Sequence, residues 1–216
     1  MVPLPGLIAL SPGDLEARPA ADFLAALEDA LAAGLPGLLL REPRLGERAY
    51  LELGRAVAAL RARFPALWLG VHDRAHLARA LGADALHLGF RSLAARELRP
   101  WLGREIALGL STHAGDDPES WDGADYLFHG PLHATPSKAG RQGPVGLAGI
   151  ARAVRVARRP LLALGGVTPA DLAPLVRAGA HGAAVRAGIL AAPDPARATR
   201  AHLAALADAA ARAGPE

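Results

Sequence analysis

Pro160-Leu161-Leu162-Ala163-Leu164-Gly165-Gly166-Val167-Thr168-Pro169-Ala170-Asp171 holds one complete architectural unit. An apolar run too short for a helix ends at a glycine pair. Thr168-Pro169 then supplies a helix N-cap with proline at the first helical position. Asp171–Ala178 continues with apolar residues spaced near 3.6. The unit reads strand, tight turn, helix. An unbroken apolar strand is one buried on both faces, as in a parallel sheet covered by helices.

Outward from this unit the same rhythm fills the chain. Further apolar runs stand at Leu4–Leu10, Gly37–Arg41, Leu67–His72, Ala85–Phe90, Ile106–Ser111, Tyr126–Gly130 and Gly182–Ile189. Amphipathic stretches lie between them. Asp22–Ala33 carries Phe23, Leu24, Leu27 and Leu31, Glu47–Phe64 carries Leu51, Val57 and Leu60, and Pro195–Ala213 closes the chain. Eight strands, each followed by a helix, within 216 residues predict an α/β fold, a single (β/α)8 TIM barrel spanning 1–216 as one domain. The poorest helix is Asp116–Asp122, short, acidic and interrupted by Pro118; it is expected to form about one turn.

Composition narrows the function. Hydrophobic residues make up 51% and aromatics 4%, so the core rests on Leu, Ala and Val and the chain is not disordered. Cysteine is absent, which removes disulfides, thiolate zinc sites and cysteine nucleophiles together. No apolar run approaches the ~20 residues of a membrane span, and no basic segment precedes an apolar one at the N-terminus. A cytoplasmic protein without a membrane partner is expected. The net charge of +3 comes from scattered arginines, with Lys138 the only lysine. That pattern reads as a solvated face, and no nucleic-acid partner is expected. No Gly-x-Gly-x-x-Gly or P-loop spacing follows a strand, which argues against a dinucleotide or ATP enzyme.

Barrel active sites lie at the C-terminal ends of the strands. There the sequence places Arg41 and Glu42, His72-Asp73-Arg74, Arg91-Ser92, Ser111-Thr112-His113 and the long segment from His129 to Lys138. The ends of strands seven and eight commonly build a phosphate site. Gly165-Gly166 offers backbone N–H groups there, and Val185 and Arg186 end strand eight. Ala134–Val145 is the longest connection and is expected to act as a lid. Its Thr135, Ser137 and Lys138 suit a phosphate or diphosphate. Among the histidines, His72, His129 and His133 stand near the rim, and His129, Pro131 and His133 share one parity. A proton carrier is expected among them. His87, between apolar neighbours, reads as a barrel-filling residue.

These stretches resemble the thiamine phosphate synthase/TenI-like family over almost the whole chain. The family's QLREK stands here as Leu39-Leu40-Arg41-Glu42-Pro43, its NDR as His72-Asp73-Arg74 and its HLGQxD as His87-Leu88-Gly89-Phe90-Arg91-Ser92. GxSxH is Gly109–His113, DYxxxGPxxxTxTK is Asp125–Lys138, AIGGI is Ala163–Val167 and AGADGxAV is Ala178–Val185. The resemblance implies an enzyme of thiamine biosynthesis that acts on a thiazole phosphate.

For a synthase it implies that the thiazole nitrogen displaces diphosphate from a pyrimidine, with Mg2+ as cofactor. Arg41, Asp73, Ser111, Thr135, Ser137 and Lys138 would hold the diphosphate half and Gly166 the thiazole phosphate. Asp73 would be the metal ligand if magnesium binds. The chain departs from the pattern at Leu39, Pro43, His72 and Ala187, and Ser92 replaces the second metal-binding aspartate. The TenI-like branch implies a cofactor-free proton shift that aromatises a thiazole phosphate carboxylate, with a histidine directly after the strand-six glycine. Here that position is Pro131, so His133, or else His129 or His72, is expected to carry the proton. The sequence reading is therefore a thiazole tautomerase. The synthase is the alternative, and a non-catalytic sensor of thiazole or thiamine phosphate is the reading of another class. Self-association into a homo-oligomer is left open.

Overall fold

The computed structural model describes residues 2–135 and 143–212. Eight parallel strands close into a barrel in strict chain order: β1 (Leu7–Leu10), β2 (Gly37–Leu40), β3 (Trp68–His72), β4 (Ala85–Leu88), β5 (Ala107–Thr112), β6 (Tyr126–His129), β7 (Leu161–Leu164) and β8 (Gly182–Val185). The helices are α1 (Ala20–Ala32), α2 (Glu47–Ala59), α3 (Ala75–Ala80), α4 (Ala95–Leu102), α5 (Gly146–Ala157), α6 (Pro169–Arg177), α7 (Ala187–Leu190) and α8 (Pro195–Arg212). β5 and β6 are joined through a single 3-10 turn, Pro118–Trp121, as the proline and the acidic run led us to expect. The apolar run Gly182–Ile189 is not one strand. β8 pairs with β1 only as far as Val185, and Arg186 turns the chain (φ −95°, ψ −83°) into the short α7. β1 starts at Leu7 rather than Leu4, because Pro5 has no N–H to give a ladder.

Alternation along the strands sorts two cores. Leu7, Ala9, Leu38, Leu40, Leu86, Leu108 and Leu127 face the helices. Ile8, Leu10, Leu39, Trp68, Ala85, Ala107, Tyr126, Phe128, Leu162 and Ala184 fill the barrel. Three of the nine aromatic residues, Trp68, Tyr126 and Phe128, lie inside, where Trp68 and Tyr126 meet edge to face with ring centroids 6.0 Å apart. The period of two carries each inward row toward the mouth. Leu39 leads to Arg41, Trp68 to His72, Ala85 to His87, Ala107 to Ser111 and Ala184 to Arg186. Apolar residues close the floor, and polar residues crown it.

Candidate active site

Arg41 and Arg186 stand beside each other at the mouth. The backbone N–H of Arg41 donates to Ser11 Oγ at 2.7 Å, which fixes the start of its side chain. Burial lowers the Arg41 guanidinium from its ordinary value and the neighbouring Arg186 charge lowers it further, while Asp73 and Glu42 pull the other way. Neither guanidinium donates a hydrogen bond to another described residue. Arg186 also lines a cleft of about 330 Å³ with Pro12, Gly13, Asp14 and Arg44. Glu42 is no ligand. It is buried, and its carboxylate accepts from the N–H groups of Gly13 (2.8 Å) and Leu15 (2.9 Å), which pins the β1–α1 loop beside Arg41. Arg74 turns away to stack on Tyr50 at 4.1 Å and to donate to the Glu42 and Leu45 carbonyls.

Asp73 takes a left-handed backbone (φ 60°) at the end of β3, a conformation aspartate tolerates better than most residues. Its Oδ1 accepts from Gly89 N at 2.9 Å and from the Ser92 hydroxyl, and its Oδ2 pairs with His72 Nδ1 at 3.0 Å. Burial would raise this carboxyl, but His72, Ser92 and the Gly89 amide overrule it and hold the group well below the usual range. A carboxylate offers about four acceptor sites. Three are occupied, and Ser92, which replaces the second aspartate of the pattern the chain resembles, is a donor to Asp73. Among the described residues no three His, Cys, Asp or Glu side chains cluster as a metal cage. Asp73 would therefore give a magnesium ion one carboxylate contact, and the positive charge the ion supplied would have to be balanced mainly by substrate oxygens.

The three rim histidines separate. His72 faces inward and is anchored to Asp73. His129 does not belong to the mouth. It points toward the outer layer, where Nδ1 meets Thr112 Oγ1 at 2.8 Å and the ring lies against Trp121. Burial, followed by repulsion from His113, lowers its pKa. The expected shared direction of His129, Pro131 and His133 fails because β6 ends at His129. The chain beyond Gly130 crosses onto the end of β7, with Leu132 N donating to Leu164 O and His133 N to Gly165 O. His133 then stands over Gly166, its Nε2 at 2.9 Å from Asp171 Oδ1. A methyl group on Gly166 would lie 3.1 Å from His133 Cβ and 3.6 Å from Thr135 Cγ2. Gly166, Thr135 and His133 thus share one corner. Val185 is a further correction, since its side chain packs among the outer-layer residues and leaves only its backbone near the site. Ser137 and Lys138 lie outside the described residues.

Two residues were missed as partners. Asp171, at the start of α6, accepts from Thr168 N and Oγ1 (both 2.8 Å) as well as pairing with His133. Burial would raise its carboxyl, and the Thr168 and His133 hydrogen bonds bring it below the ordinary value. Nothing in the local sequence distinguishes it from an ordinary helix-start acid. His87 supports Ser111 from inside the barrel, Nε2 to Oγ 2.9 Å. The shared inward rows of β4 and β5 were the available signal.

A family model described as thiamine monophosphate synthase matches residues 10–189. A thiamine-phosphate synthase of Moorella thermoacetica is 40% identical over 174 residues, 79% of this chain and 82% of that protein. One of Salinispora arenicola is 39% identical over 194 residues, 88% of this chain and 93% of that protein. Among solved structures, the thiamine phosphate pyrophosphorylase of Pyrococcus furiosus superposes with a TM-score of 0.77 at 23% identity, over 94% of this chain and 96% of that one.

Proposed function

The chain belongs to the thiamine monophosphate synthase family, and we propose that it performs the synthase reaction, joining a pyrimidine diphosphate to a thiazole phosphate. The thiazole nitrogen attacks the pyrimidine methylene carbon, a C–N bond forms, and the C–O bond to diphosphate breaks with its electron pair leaving on oxygen. The observation that carries this reading is the pair Arg41 and Arg186. Two partly buried like charges, neither donating a hydrogen bond to a described residue, repel one another. A polyanion between them relieves that repulsion. Ser111 stands on the same inward-facing crown. Magnesium, when bound, supplies positive charge to the departing diphosphate. Asp73 would hold it, and His72 and Ser92 keep Asp73 ionised and oriented. Thr135 and the Gly166 backbone lie together at the end of β7, next to the β8 end that carries Arg186, and this corner suits the thiazole phosphate. Substrate is a phosphorylated heterocycle in either reading of the family. The experiment is turnover of the two substrates with magnesium by wild type and by Arg41→Ala. Coupled product from the wild type, reduced about a hundredfold or more in the variant, supports the synthase; no coupled product from the wild type refutes it.

A second reading, the proton shift on a thiazole phosphate carboxylate, rests on His133 and Asp171. A histidine held at 2.9 Å by a carboxylate beside the phosphate corner is a competent acid/base, and it needs no metal. Asp171→Asn removes the charge while its amide oxygen can still accept from Thr168 N. If His133 moves the proton, conversion of the carboxylated thiazole falls about tenfold or more with little change in melting temperature. Unchanged conversion rejects this role.

A further inference from the structure

Beneath the mouth, Tyr126, His87 and Ser111 form a line of hydrogen bonds from the barrel floor to the crown. Tyr126 Oη lies 3.2 Å from His87 Nδ1, and His87 Nε2 lies 2.9 Å from Ser111 Oγ. Both rings are 1% exposed. Tyr126 stands edge-on to Trp68 at 6.0 Å, and the His87 ring lies 4.2 Å from Phe128. Space for the line is made by Gly109, where a methyl group would sit 2.4 Å from Tyr126 Oη and 2.5 Å from His87 Nδ1.

A neutral imidazole has one donor nitrogen and one acceptor nitrogen, and hydrogen-bond accounting selects between the tautomers. If Nδ1 carried the proton, it would donate to Tyr126, whose own buried hydroxyl hydrogen would then have no acceptor. Nε2 would meanwhile need a proton from Ser111, turning that hydroxyl inward. If Nε2 carries the proton, Tyr126 donates to Nδ1, Nε2–H donates to Ser111 Oγ, and every buried group is satisfied. Only this second pattern leaves the Ser111 hydrogen free to point out of the barrel.

We propose that Tyr126 and His87 are positioning residues that hold Ser111 as an outward hydrogen-bond donor to a phosphoryl oxygen of the substrate. This rests on the proposed function only for the identity of the ligand. Burial favours the neutral forms of both partners: it lowers His87 well below its ordinary value and raises Tyr126 far above its own. The charges that His87 faces are those of His72, Asp73 and Arg41 at the crown. Sequence alone made His87 a filler of the barrel. The line through it makes Ser111 directional.

The first test is a long-range proton–nitrogen NMR spectrum of the full chain at neutral pH. The His87 ring is assigned by its loss in His87→Gln, or by its displacement in Tyr126→Phe if the glutamine variant does not fold. A protonated Nε2 with an unprotonated Nδ1 is expected. An Nδ1–H tautomer, or an imidazolium, overturns the proposal. The second test is calorimetric binding of inorganic pyrophosphate to wild type, Ser111→Ala, Tyr126→Phe and the double variant. Each single change should weaken binding about fivefold, and the double no more than either. Additive losses overturn the proposal. The tautomer needs no ligand, so wild-type protein that fails to bind pyrophosphate counts against the diphosphate site, while the NMR result still decides His87.

Discussion

Asp73 shows how one residue type can be specified by its neighbours rather than by its motif. The sequence made it the likeness of a metal-binding aspartate. The structure surrounds it with three donors, so its folded-state pKa is depressed. A depressed carboxyl contributes stability that is present above its unfolded value, ordinarily 3.8, and is lost as the pH falls through the folded one. Acid titration of stability should therefore be steeper below that value in wild type than in Asp73→Asn, which keeps the left-handed backbone. Equal slopes would contradict the bonding around Asp73. Arg186 is tested by binding. Arg186→Ala should weaken inorganic pyrophosphate roughly tenfold or more, since a charge-assisted contact is lost, and unchanged affinity in calorimetry would remove Arg186 from the site. At this scale the sequence was legible where a residue ends an inward row, as Arg41, His72 and Ser111 do. It was not legible for His129, whose parity placed it with His133 until the strand stopped, nor for Asp171, whose partner lies in a different loop.

The strand ends are the elements that bring these residues together, and glycine and serine decide how. Gly165 (φ 101°) would place a methyl 2.6 Å from Pro131 Cβ, so the segment that carries His133 can rest on β7 only if this residue is glycine. Gly165→Ala should destabilise by about 1–3 kcal/mol in urea unfolding; a neutral effect would mean the contact is looser than described. The sequence marked this pair for its backbone N–H groups, and the packing role is additional. The neighbouring ends of β3 and β4 are joined by the Ser92–Asp73 hydrogen bond. Ser92→Asp restores a second carboxylate, so half-saturating magnesium in the turnover assay should fall about tenfold. No change would mean that substrate oxygens alone set the metal's affinity. Short connections were read well because each has local turn chemistry, as at Thr168-Pro169. The boundary of β8 was missed by four residues, Arg186 to Ile189. Three of those four residues are apolar, so composition did not mark the end, which comes where pairing with β1 and β7 stops and Arg186 turns the chain.

For the whole molecule, closure in chain order from β1 to β8 was legible because eight apolar runs and their turns allow few other parallel arrangements. No described helix is long and apolar enough to cross a membrane. The reaction was harder to read than the barrel, because one fold hosts many chemistries and the choice depends on a few side chains at one end. Loss of the second carboxylate suggested proton transfer. The relatives' names and the repelling arginine pair favour the coupling reaction instead. Phosphorus NMR decides between them most directly, with the protein given the pyrimidine diphosphate, the carboxylated thiazole phosphate and magnesium in one tube. The account predicts that free diphosphate and the phosphate signal of the coupled product grow in equal amounts. Conversion of the thiazole with the pyrimidine diphosphate left intact would contradict it.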